Sequence, residues 1–347
     1  MAKQRGHGEG SIYQRKDGRW VASVTLEGRR RKTFYGKTRR DVAGKLQDAL
    51  NEKKRGLLVT GPRETVGHYL EYWLEEVHKP AIRISTYVRY REIIQLHILP
   101  SIGYLQLTSL SPRHIQTLYA QKTKEGLSAS TVQSIHAVLH KALDNAVRLG
   151  SLSRNVSDSI PLPRVVKHEM KPFTLEQAQH LLESVREHRL EALFALALAT
   201  GMRLGELLGL RWQDIDFTAG SLQVRHILSY VRSQGFVESE PKTAKGKRRI
   251  TLPAFVLDSL KQHRIRQLEA KLKAGSSWED RDLVFCTDRG GYLNPASTMQ
   301  VVFKSVLKKA GLPQVRFHDL RHSAATILLS MGIHPKVVQE LLVVSPV

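Results

Sequence analysis

Apolar and polar residues partly alternate in three short runs near the start of the chain. The runs span residues 11–15, 19–26 and 31–35, and the turns between them are 17–18 and 27–28. Alternation with a period of two, broken by turns that contain glycine, predicts three antiparallel strands. A helical pattern then begins at Thr38, with Asp41 three residues later as its capping partner, and Gly56 can end it. The pattern therefore predicts a three-stranded sheet followed by one helix.

Helical periodicity dominates from residue 64 to residue 150. The apolar face of the first segment consists of Val66, Tyr69, Leu70, Trp73, Leu74 and Val77. A second helix is predicted from near Ser85 to about residue 98, where Pro100 ends it. A third begins at Ser111-Pro112, an N-cap followed by proline in the first helical position, and closes at Gly126. A fourth spans about 130–150, so the segment is predicted to be a compact four-helix domain.

Residues 151–173 contain three prolines and little periodicity, which is typical of a linker. Its positive residues are Arg154, Arg164, Lys167 and Lys171. They suit a segment that crosses a nucleic-acid backbone, and they suit equally well a solvated linker whose charge is incidental. Thr174 and Gln177 cap the next helix, and a mixed helix and strand pattern follows to the end of the chain. We expect a multidomain α+β protein divided into 1–63, 64–150, the linker 151–173, and a mainly helical domain with a small sheet at 174–347.

The charge of the chain points to a polyanionic partner. The 347 residues include 54 Lys and Arg against 32 Asp and Glu, a net charge of +22, with 41% hydrophobic residues that indicate folded domains. Residues 1–63 carry 17 basic and 6 acidic residues, half of the net charge. Such a module supplies salt-dependent affinity for phosphate backbones. The alternative is a surface that only keeps the protein in solution.

The aromatic residues of this basic module allow two interpretations. Trp20, Phe34 and Tyr35 either form a small core under the helix, which we favour, or contact nucleic acid. Our candidate DNA-binding residues are Arg15, Arg19, Arg29, Arg30, Arg31, Lys32 and Lys37.

Three features of the sequence indicate a protein of the cytoplasm. No apolar run approaches the roughly 20 residues of a membrane span. The polar start, Met1-Ala2-Lys3, lacks the apolar core of a signal peptide. Cys286 is the only cysteine, which excludes a disulfide framework and fits a reducing compartment.

Basic residues in distinctive contexts occur in the last segment. Arg203 follows a break between two apolar helical stretches, and Lys242 lies between the strand-like runs 222–231 and 248–252, where a hairpin would place it at the tip. His318 and Arg321 are three apart on one face of a predicted helix. Two arginines can grip the oxygens of a phosphodiester, while a lysine and a histidine transfer protons. This set needs no metal or other cofactor, and we find no carboxylate cluster that would hold magnesium ions.

These motifs make the chain similar to the tyrosine recombinases of bacteriophages and conjugative elements. The specific element is Thr200-Gly201-x-Arg203-x-x-Glu206-Leu207 combined with His318-x-Leu320-Arg321-His322 and, between them, Pro241-Lys242-Thr243.

The resemblance covers nearly the whole chain and implies an arm-type DNA-binding domain, a helical core-binding (SAM-like) domain and a catalytic domain. It also implies that Arg203 and Arg321 clamp the scissile phosphate, that Lys242 protonates the leaving 5′ oxygen, and that His318 is an acid or base. Lys245 and Lys247 are alternatives for the lysine. The implied partners are double-stranded DNA at core-type and arm-type sites, and further copies of the protein in a tetramer on DNA.

The sequence departs from the family pattern near its end. Family enzymes use a tyrosine on a C-terminal helix as nucleophile. Residues 335–342 match that helix, but Val343-Val344 stand where the resemblance implies Gly-His, and the last tyrosine is Tyr292. We expect a truncated or frameshifted chain that lacks the nucleophile and the second active-site histidine, and that binds DNA without cleaving it alone. Tyr292 and Tyr230 are expected to be core or surface aromatics.

Three functions follow from these expectations. The chain binds attachment sites without recombining them, or it acts in an assembly in which a full-length integrase supplies the tyrosine, or it serves as a competitor or regulator at those sites. A type IB topoisomerase shares the Arg–Lys–Arg chemistry and is the enzymatic alternative, although the separate basic module favours an integrase.

Overall fold

The computed structural model describes residues 10–25, 31–54, 64–166, 171–241, 246–296, 300–336 and 338, with backbone only at 52–54. Contacts along the chain divide it into two compact units, Met1–Val166 and Lys167–Val347. The boundary between the units falls inside the predicted linker 151–173. Within the described ranges, no helix combines the length and apolar character needed to cross a membrane.

The start of unit 1 is the predicted sheet and helix. The elements are β1 (Ser11–Gln14), β2 (Trp20–Thr25), β3 (Arg31–Gly36) and α1 (Arg39–Lys54). The strands are antiparallel in the order β1-β2-β3. The Thr38 hydroxyl accepts the Asp41 N–H at 3.2 Å, as the predicted start of the helix requires. The predicted three-stranded sheet with one helix is confirmed.

One face of this sheet packs on α1. Its small core consists of Ala22, Val24, Val42, Leu46 and Ala49, with Ile12, Trp20, Phe34 and Leu50 packed against it. The favoured interpretation, a core role, therefore holds for Trp20 and Phe34. Tyr35 is 54% exposed, and its register partner Val21 places it on the face away from this core.

Residues 66–148 of unit 1 are mainly helical. The elements are α2 (Val66–Tyr72) with a π-helical turn (Trp73–His78), α3 (Ile84–Ile93) with a π-helical turn (Ile94–Ile98), α4 (Leu99–Ile102), α5 (Pro112–Lys124) and α6 (Ala129–Arg148). The amphipathic α6 is central, because it buries Val132, Ile135, Leu139 and Leu143. The Tyr69 hydroxyl donates to the Ala142 carbonyl oxygen at 3.0 Å and so ties α2 to α6.

The predicted helix end at Pro100 is wrong. The helix continues through the π-helical turn into α4, which carries Pro100 in its first turn and runs to Ile102. Proline lacks the N–H that an α-helix needs, and the π-helical turn, in which the Leu99 N–H donates to the Ile94 carbonyl, accommodates this gap.

Unit 2 combines six α-helices with five short strands among its described residues. The helices are α7 (Leu175–Ser184), α8 (Glu191–Thr200), α9 (Leu204–Leu208), α10 (Ala254–Ala274), α11 (Gln300–Lys309) and α12 (Asp319–Ser330). The strands are β4 (Ile215–Asp216), β5 (Ser221–Gln223), β6 (Ile227–Val231), β7 (Gly235–Ser239) and β8 (Arg249–Thr251). The predicted mainly helical domain with a small sheet is confirmed.

The strand pairing differs from the predicted hairpin. The run 222–231 contains two strands, so β5 pairs with β8 while β6 turns back on β7. The Gln234 N–H donates to the Val231 carbonyl oxygen in this turn, and Gly235 adopts a φ of +78°. The tip of the β6–β7 hairpin is therefore at 232–234. Lys242 itself lies outside the described residues.

The core of unit 2 holds α8 at its centre. Nearly every residue of α8 is buried, and Phe194 stacks with Phe303 at a centroid distance of 5.7 Å and lies 6.2 Å from Phe317. Because α8 and α12 pack on each other, the end of α8 and the start of α12 are both fixed by this core. The two predicted arginine motifs stand at these positions.

Candidate active site

Arg203 stands where one helix ends and the next begins. The helix α8 stops at Gly201, which adopts the left-handed conformation with φ +59° and ψ 25°. This conformation carries little steric penalty for glycine. Arg203 is the N-cap of α9, and its side chain is 44% exposed. The break in the helix thus brings the arginine out of the buried core while its backbone stays fixed.

Arg321 occupies the first turn of α12 and is only 6% exposed. Its Nη1 donates a hydrogen bond to the carbonyl oxygen of Gly201. Its Nη2 is buried and has no hydrogen-bond partner among the described residues. A buried charged donor without an acceptor is unfavourable in a folded protein. The site therefore supplies a donor that suits an anionic oxygen.

Arg203 and Arg321 influence each other electrostatically. Burial, and then the positive charge of Arg203, lower the pKa of Arg321 from its ordinary 12.5 to about 10, although the negative charge of Glu206 acts in the opposite direction. The guanidinium is still protonated at neutral pH. Two like charges near each other at a partly dry site favour an anion, whose charge offsets their repulsion.

Glu206 is the buried counter-charge of the site. Its side chain is 1% exposed, and it accepts hydrogen bonds from the backbone N–H of Arg203 at 3.0 Å and from Arg203 Nη1 at 2.9 Å. Arg248 Nη2 donates to the same carboxylate at 2.9 Å. Burial raises the pKa of Glu206, but the hydrogen bonds and charges of Arg248 and Arg203 outweigh it, so that the pKa lies below its ordinary value.

His318 is the N-cap residue of α12, one turn before Arg321. Burial lowers its pKa, and the charges of His322, Arg321 and Arg203 add to this effect, while Asp319 opposes it. The His318 and His322 rings are 5.8 Å apart in an edge-on arrangement. His318 is therefore neutral at neutral pH and able to accept a proton.

The structure brings together three of the four predicted catalytic residues. Arg203, His318 and Arg321 share the site described above, whereas Lys242 and its alternative Lys245 lie outside the described residues. The other alternative, Lys247, forms an ion pair with Glu240 at 2.7 Å.

Tyr292 and Tyr230 have surroundings of their own. The Tyr292 hydroxyl donates to Glu238 at 2.9 Å and accepts from Arg281 at 3.2 Å. Tyr230 is 45% exposed and packs edge-on against Phe236. The segment expected to lack the family helix ending, residues 339–347, lies outside the described residues.

Arg248 is a site residue that the sequence did not predict, and Glu206 stands in the predicted motif without an assigned role. The spacing of three between Arg203 and Glu206 is a usable signal, because an acidic residue at the third position of a helix accepts the N-cap N–H. No local pattern indicates that Arg248 reaches the same carboxylate from 42 positions away.

The described candidate DNA-binding residues lie in β3 or next to the ends of the three strands, mainly at exposed positions. Arg15, Arg19, Arg31 and Lys37 are exposed, and Lys32 is half-buried with its ammonium 5.7 Å from the Phe34 ring centroid. Arg29 and Arg30 lie outside the described residues.

The sheet face away from α1 carries aromatic and hydroxyl side chains. Tyr13 and Tyr35 flank the buried Val21 in register and are 53% and 54% exposed. The next row pairs Ser11 with Ser23, whose hydroxyls are 2.8 Å apart. This open face and its basic margin have the composition of a nucleic-acid surface.

Metal ligands are not clustered in the described part of the chain, where no group of three or more His, Cys, Asp or Glu side chains is placed to hold an ion. The chemistry that this site can offer through its own side chains is anion binding by guanidinium groups, with a neutral imidazole beside them.

Comparisons with known proteins decide the family. The phage integrase family matches residues 171–343, and the phage integrase N-terminal SAM-like domain matches residues 65–123. A tyrosine recombinase XerC-like protein of Caldanaerobacter subterraneus subsp. tengcongensis is 34% identical over 330 residues, which cover 90% of this chain and 84% of that protein. The chain belongs to the phage integrase family of tyrosine recombinases. An integrase of Streptomyces ambofaciens is 30% identical over 96% of this chain and 88% of its own length.

Solved structures show the same integrase fold. The Tn1549 transposon integrase, solved in complex with a circular intermediate DNA, superposes with a TM-score of 0.70 at 20% identity, covering 82% of this chain and 92% of that one. The lambda integrase tetramer bound to a Holliday junction gives a TM-score of 0.59 at 19% identity over 99% and 94% of the two chains. The similarity to an integrase, first indicated by the sequence motifs, is thereby confirmed.

Proposed function

We propose that this chain is a site-specific DNA integrase that binds the attachment sites of a mobile genetic element and places one DNA phosphate between Arg203 and Arg321. The observation that carries this proposal is the buried Nη2 of Arg321, which has no acceptor among the described residues. A non-bridging phosphate oxygen supplies both that acceptor and a negative charge between two guanidinium groups. The comparisons favour this function over a type IB topoisomerase.

The site supports the charge stabilisation and the proton transfer of a phosphoryl transfer on DNA, and the attacking hydroxyl would come from the tyrosine of a full-length integrase in the same assembly. Arg203 and Arg321 would stabilise the charge that builds up on the phosphate oxygens in the transition state. His318, neutral at neutral pH because burial lowers its pKa, would take or return a proton. Lys242 keeps its proposed role as the acid for the leaving 5′ oxygen by its place in the family motif. These roles require no metal or other cofactor.

We assign the DNA contacts to modules. Residues 1–63 would bind arm-type sites through the open sheet face and its basic margin, residues 64–150 would bind core-type sites, and 174–347 would hold the scissile phosphate, with 151–173 as the linker. The candidate arm residues remain Arg15, Arg19, Arg29, Arg30, Arg31, Lys32 and Lys37. Half of the net charge lies in 1–63, which supports a second class of DNA site.

The assembly that fits this function is a homotetramer on paired DNA sites, and the lambda integrase tetramer on a Holliday junction supports it by its similar fold. Association with a full-length integrase, or competition with one, uses the same DNA-binding surfaces. We place the protein in the cytoplasm, on the nucleoid when bound to DNA, because a chain with a single cysteine and a net charge of +22 suits that compartment.

The test starts from DNA that the protein itself selects. The full chain is used to select duplexes from a random pool, and binding is followed by fluorescence anisotropy at several salt concentrations. Arg203→Ala and Arg321→Ala are expected to weaken binding by about tenfold or more, as expected for charged hydrogen bonds. Arg289→Ala, which removes an exposed arginine beside Asp288, is the matched control and should bind as the unmodified chain does.

A scan with neutral methylphosphonate linkages then identifies the bound phosphate. We expect one linkage whose neutralisation weakens binding in the unmodified chain and has no further effect in Arg321→Ala. Failure to select any duplex would overturn the DNA-binding function. Selection of a duplex in which no linkage is coupled to Arg321 would overturn the placement of the phosphate.

A further inference from the structure

Arg248 is a buried arginine close to the proposed phosphate site. It stands immediately before β8, and its side chain is 8% exposed. Its Nη2 donates to Glu206 Oε2 at 2.9 Å and its Nη1 to Glu206 Oε1 at 3.3 Å. One guanidinium fork therefore engages both oxygens of a carboxylate that is itself 1% exposed.

The same carboxylate holds Arg203 at two points. Oε2 accepts the backbone N–H of Arg203 at 3.0 Å, and Oε1 accepts from Arg203 Nη1 at 2.9 Å. Each oxygen of Glu206 is thus shared between Arg203 and Arg248. This arrangement fixes the backbone of Arg203 at the N-cap of α9 together with the direction in which its half-exposed side chain leaves the core.

We propose that Arg248 is a positioning residue for Arg203, acting through Glu206. By holding both oxygens of the carboxylate from the buried side, Arg248 fixes the plane of Glu206 and balances its charge, so that the Arg203 guanidinium is oriented towards the phosphate instead of closing on Glu206 alone. The inference rests on the proposed function, because it assumes that Arg203 binds a DNA phosphate.

Electrostatics explain why the site needs a second arginine on Glu206. A buried carboxylate that faces a single arginine draws that arginine into a two-point ion pair, and the strength of this pair opposes its transfer to a phosphate. With Arg248 present, Glu206 carries a neutralising partner that never leaves the core. Glu206 then offsets less of the electrostatic attraction between Arg203 and the ligand. The orientation of Arg203 no longer depends on the presence of DNA.

A purely structural role for the ion pair makes different predictions. If Arg248 only stabilises the fold, its replacement lowers the melting temperature but leaves the share of binding that comes from Arg203 unchanged. If Arg248 positions Arg203, the contribution of Arg203 to binding disappears in the variant. The coupling between the two residues in DNA binding, which stability alone does not change, separates the two cases.

The experiment is a double-mutant cycle on the full chain with the selected duplex. In the unmodified background, Arg203→Ala is expected to weaken binding about tenfold, whereas in Arg248→Met it should weaken binding less than about twofold. Arg248→Lys retains the charge but loses the fork, so it should fall between the two. Arg249→Met, at the neighbouring and more exposed position, is the matched control and should leave the tenfold effect intact.

A second variant, with its fold checked, keeps the test decisive. If Arg248→Met does not fold, Glu206→Gln combined with Arg248→Met removes both buried charges, and circular dichroism checks that this variant folds. We expect the folded double variant to bind as weakly as Arg203→Ala, and binding equal to the unmodified chain would overturn the proposal. The proposal would also be overturned if Arg203→Ala weakened binding by the same factor in the unmodified chain and in Arg248→Met. If Arg203→Ala has no effect in the unmodified chain, it is the proposed function that fails.

Discussion

Arg321 donates a hydrogen bond to the carbonyl oxygen of Gly201, a residue 120 positions earlier in the sequence. The first residue lies in the opening turn of α12 and the second ends α8. The contact sets the direction of one guanidinium of the proposed phosphate site, and it leaves the second terminal nitrogen of Arg321 without an acceptor among the described residues. The conformation of one glycine therefore contributes to the geometry of the ligand site.

Gly201→Ala tests this relationship. The left-handed conformation seen at φ +59° is less favourable for alanine than for glycine by roughly 1 kcal/mol. We expect the free energy of unfolding to fall by about that amount and the selected duplex to bind several times more weakly, because the carbonyl that orients Arg321 is displaced. Denaturant unfolding and anisotropy measure the two effects.

Gly150→Ala is the control for this substitution. Gly150 also follows a helix with positive φ, at +74°, and an added Cβ meets nothing within 4 Å. A comparable loss of stability is expected, with unchanged DNA binding. Equal effects of the two variants on binding would show that Gly201 acts only through general stability.

Protonation of His318 is expected to make DNA binding depend on pH. In the free protein its pKa is lowered by burial and by neighbouring positive charges. A bound phosphate offsets those charges, so the pKa rises on binding and the complex takes up a proton. This contribution to affinity is fully present below the pKa of the free protein and is lost as the pH rises through the pKa of the complex.

Anisotropy between about pH 5.5 and about pH 8, the range in which histidine titrates, measures this effect. Affinity should fall with rising pH in the unmodified chain and change less in His318→Gln. His180→Gln, on the exposed side of α7, should retain the full dependence. An unchanged profile in His318→Gln would assign the pH dependence to other groups.

The open face of the three-stranded sheet is expected to contact arm-type DNA. Tyr13→Ala and Tyr35→Ala remove exposed rings without changing charge. They should therefore weaken binding to an arm-type duplex, meaning a selected duplex that contacts residues 1–63, about equally at all salt concentrations. Arg31→Ala should instead reduce the slope of log affinity against log salt concentration by about one, because one phosphate contact is lost. Tyr104→Ala, 73% exposed in unit 1, is the control and should have no effect. Losses seen equally with Tyr104→Ala would contradict this assignment.

The small core of the basic module makes it sensitive to a single cavity. Leu46→Ala removes a side chain that is 3% exposed, and such changes usually cost about 2–5 kcal/mol. We expect binding to arm-type duplexes to be lost, while binding to those selected duplexes that contact residues 64–150 remains. Leu50→Ala, on the same helix but only half-buried, should cost clearly less. Loss of both kinds of DNA binding in Leu46→Ala would contradict independent modules.

Much of the architecture could be read from local patterns. The strand runs around Val21, the cap at Thr38 and the apolar stripe of α6 are short-range features, because alternation and helical periodicity depend only on neighbours in the sequence. Where a local signal met a competing local structure, as at Pro100, the prediction was wrong, since a π-helical turn let the helix continue.

The sequence by itself determined which residues are charged, where the cores lie and that Arg203, His318 and Arg321 belong to an integrase motif. Only the tertiary structure decided that Arg321 reaches Gly201 and that Arg248 shares Glu206 with Arg203. These contacts join residues that are separated by 42 and by 120 positions, and no sequence periodicity predicts contacts over such separations. They arise because packing of α8 against α12, and of the small sheet beside them, brings distant side chains to the same carboxylate and the same helix end.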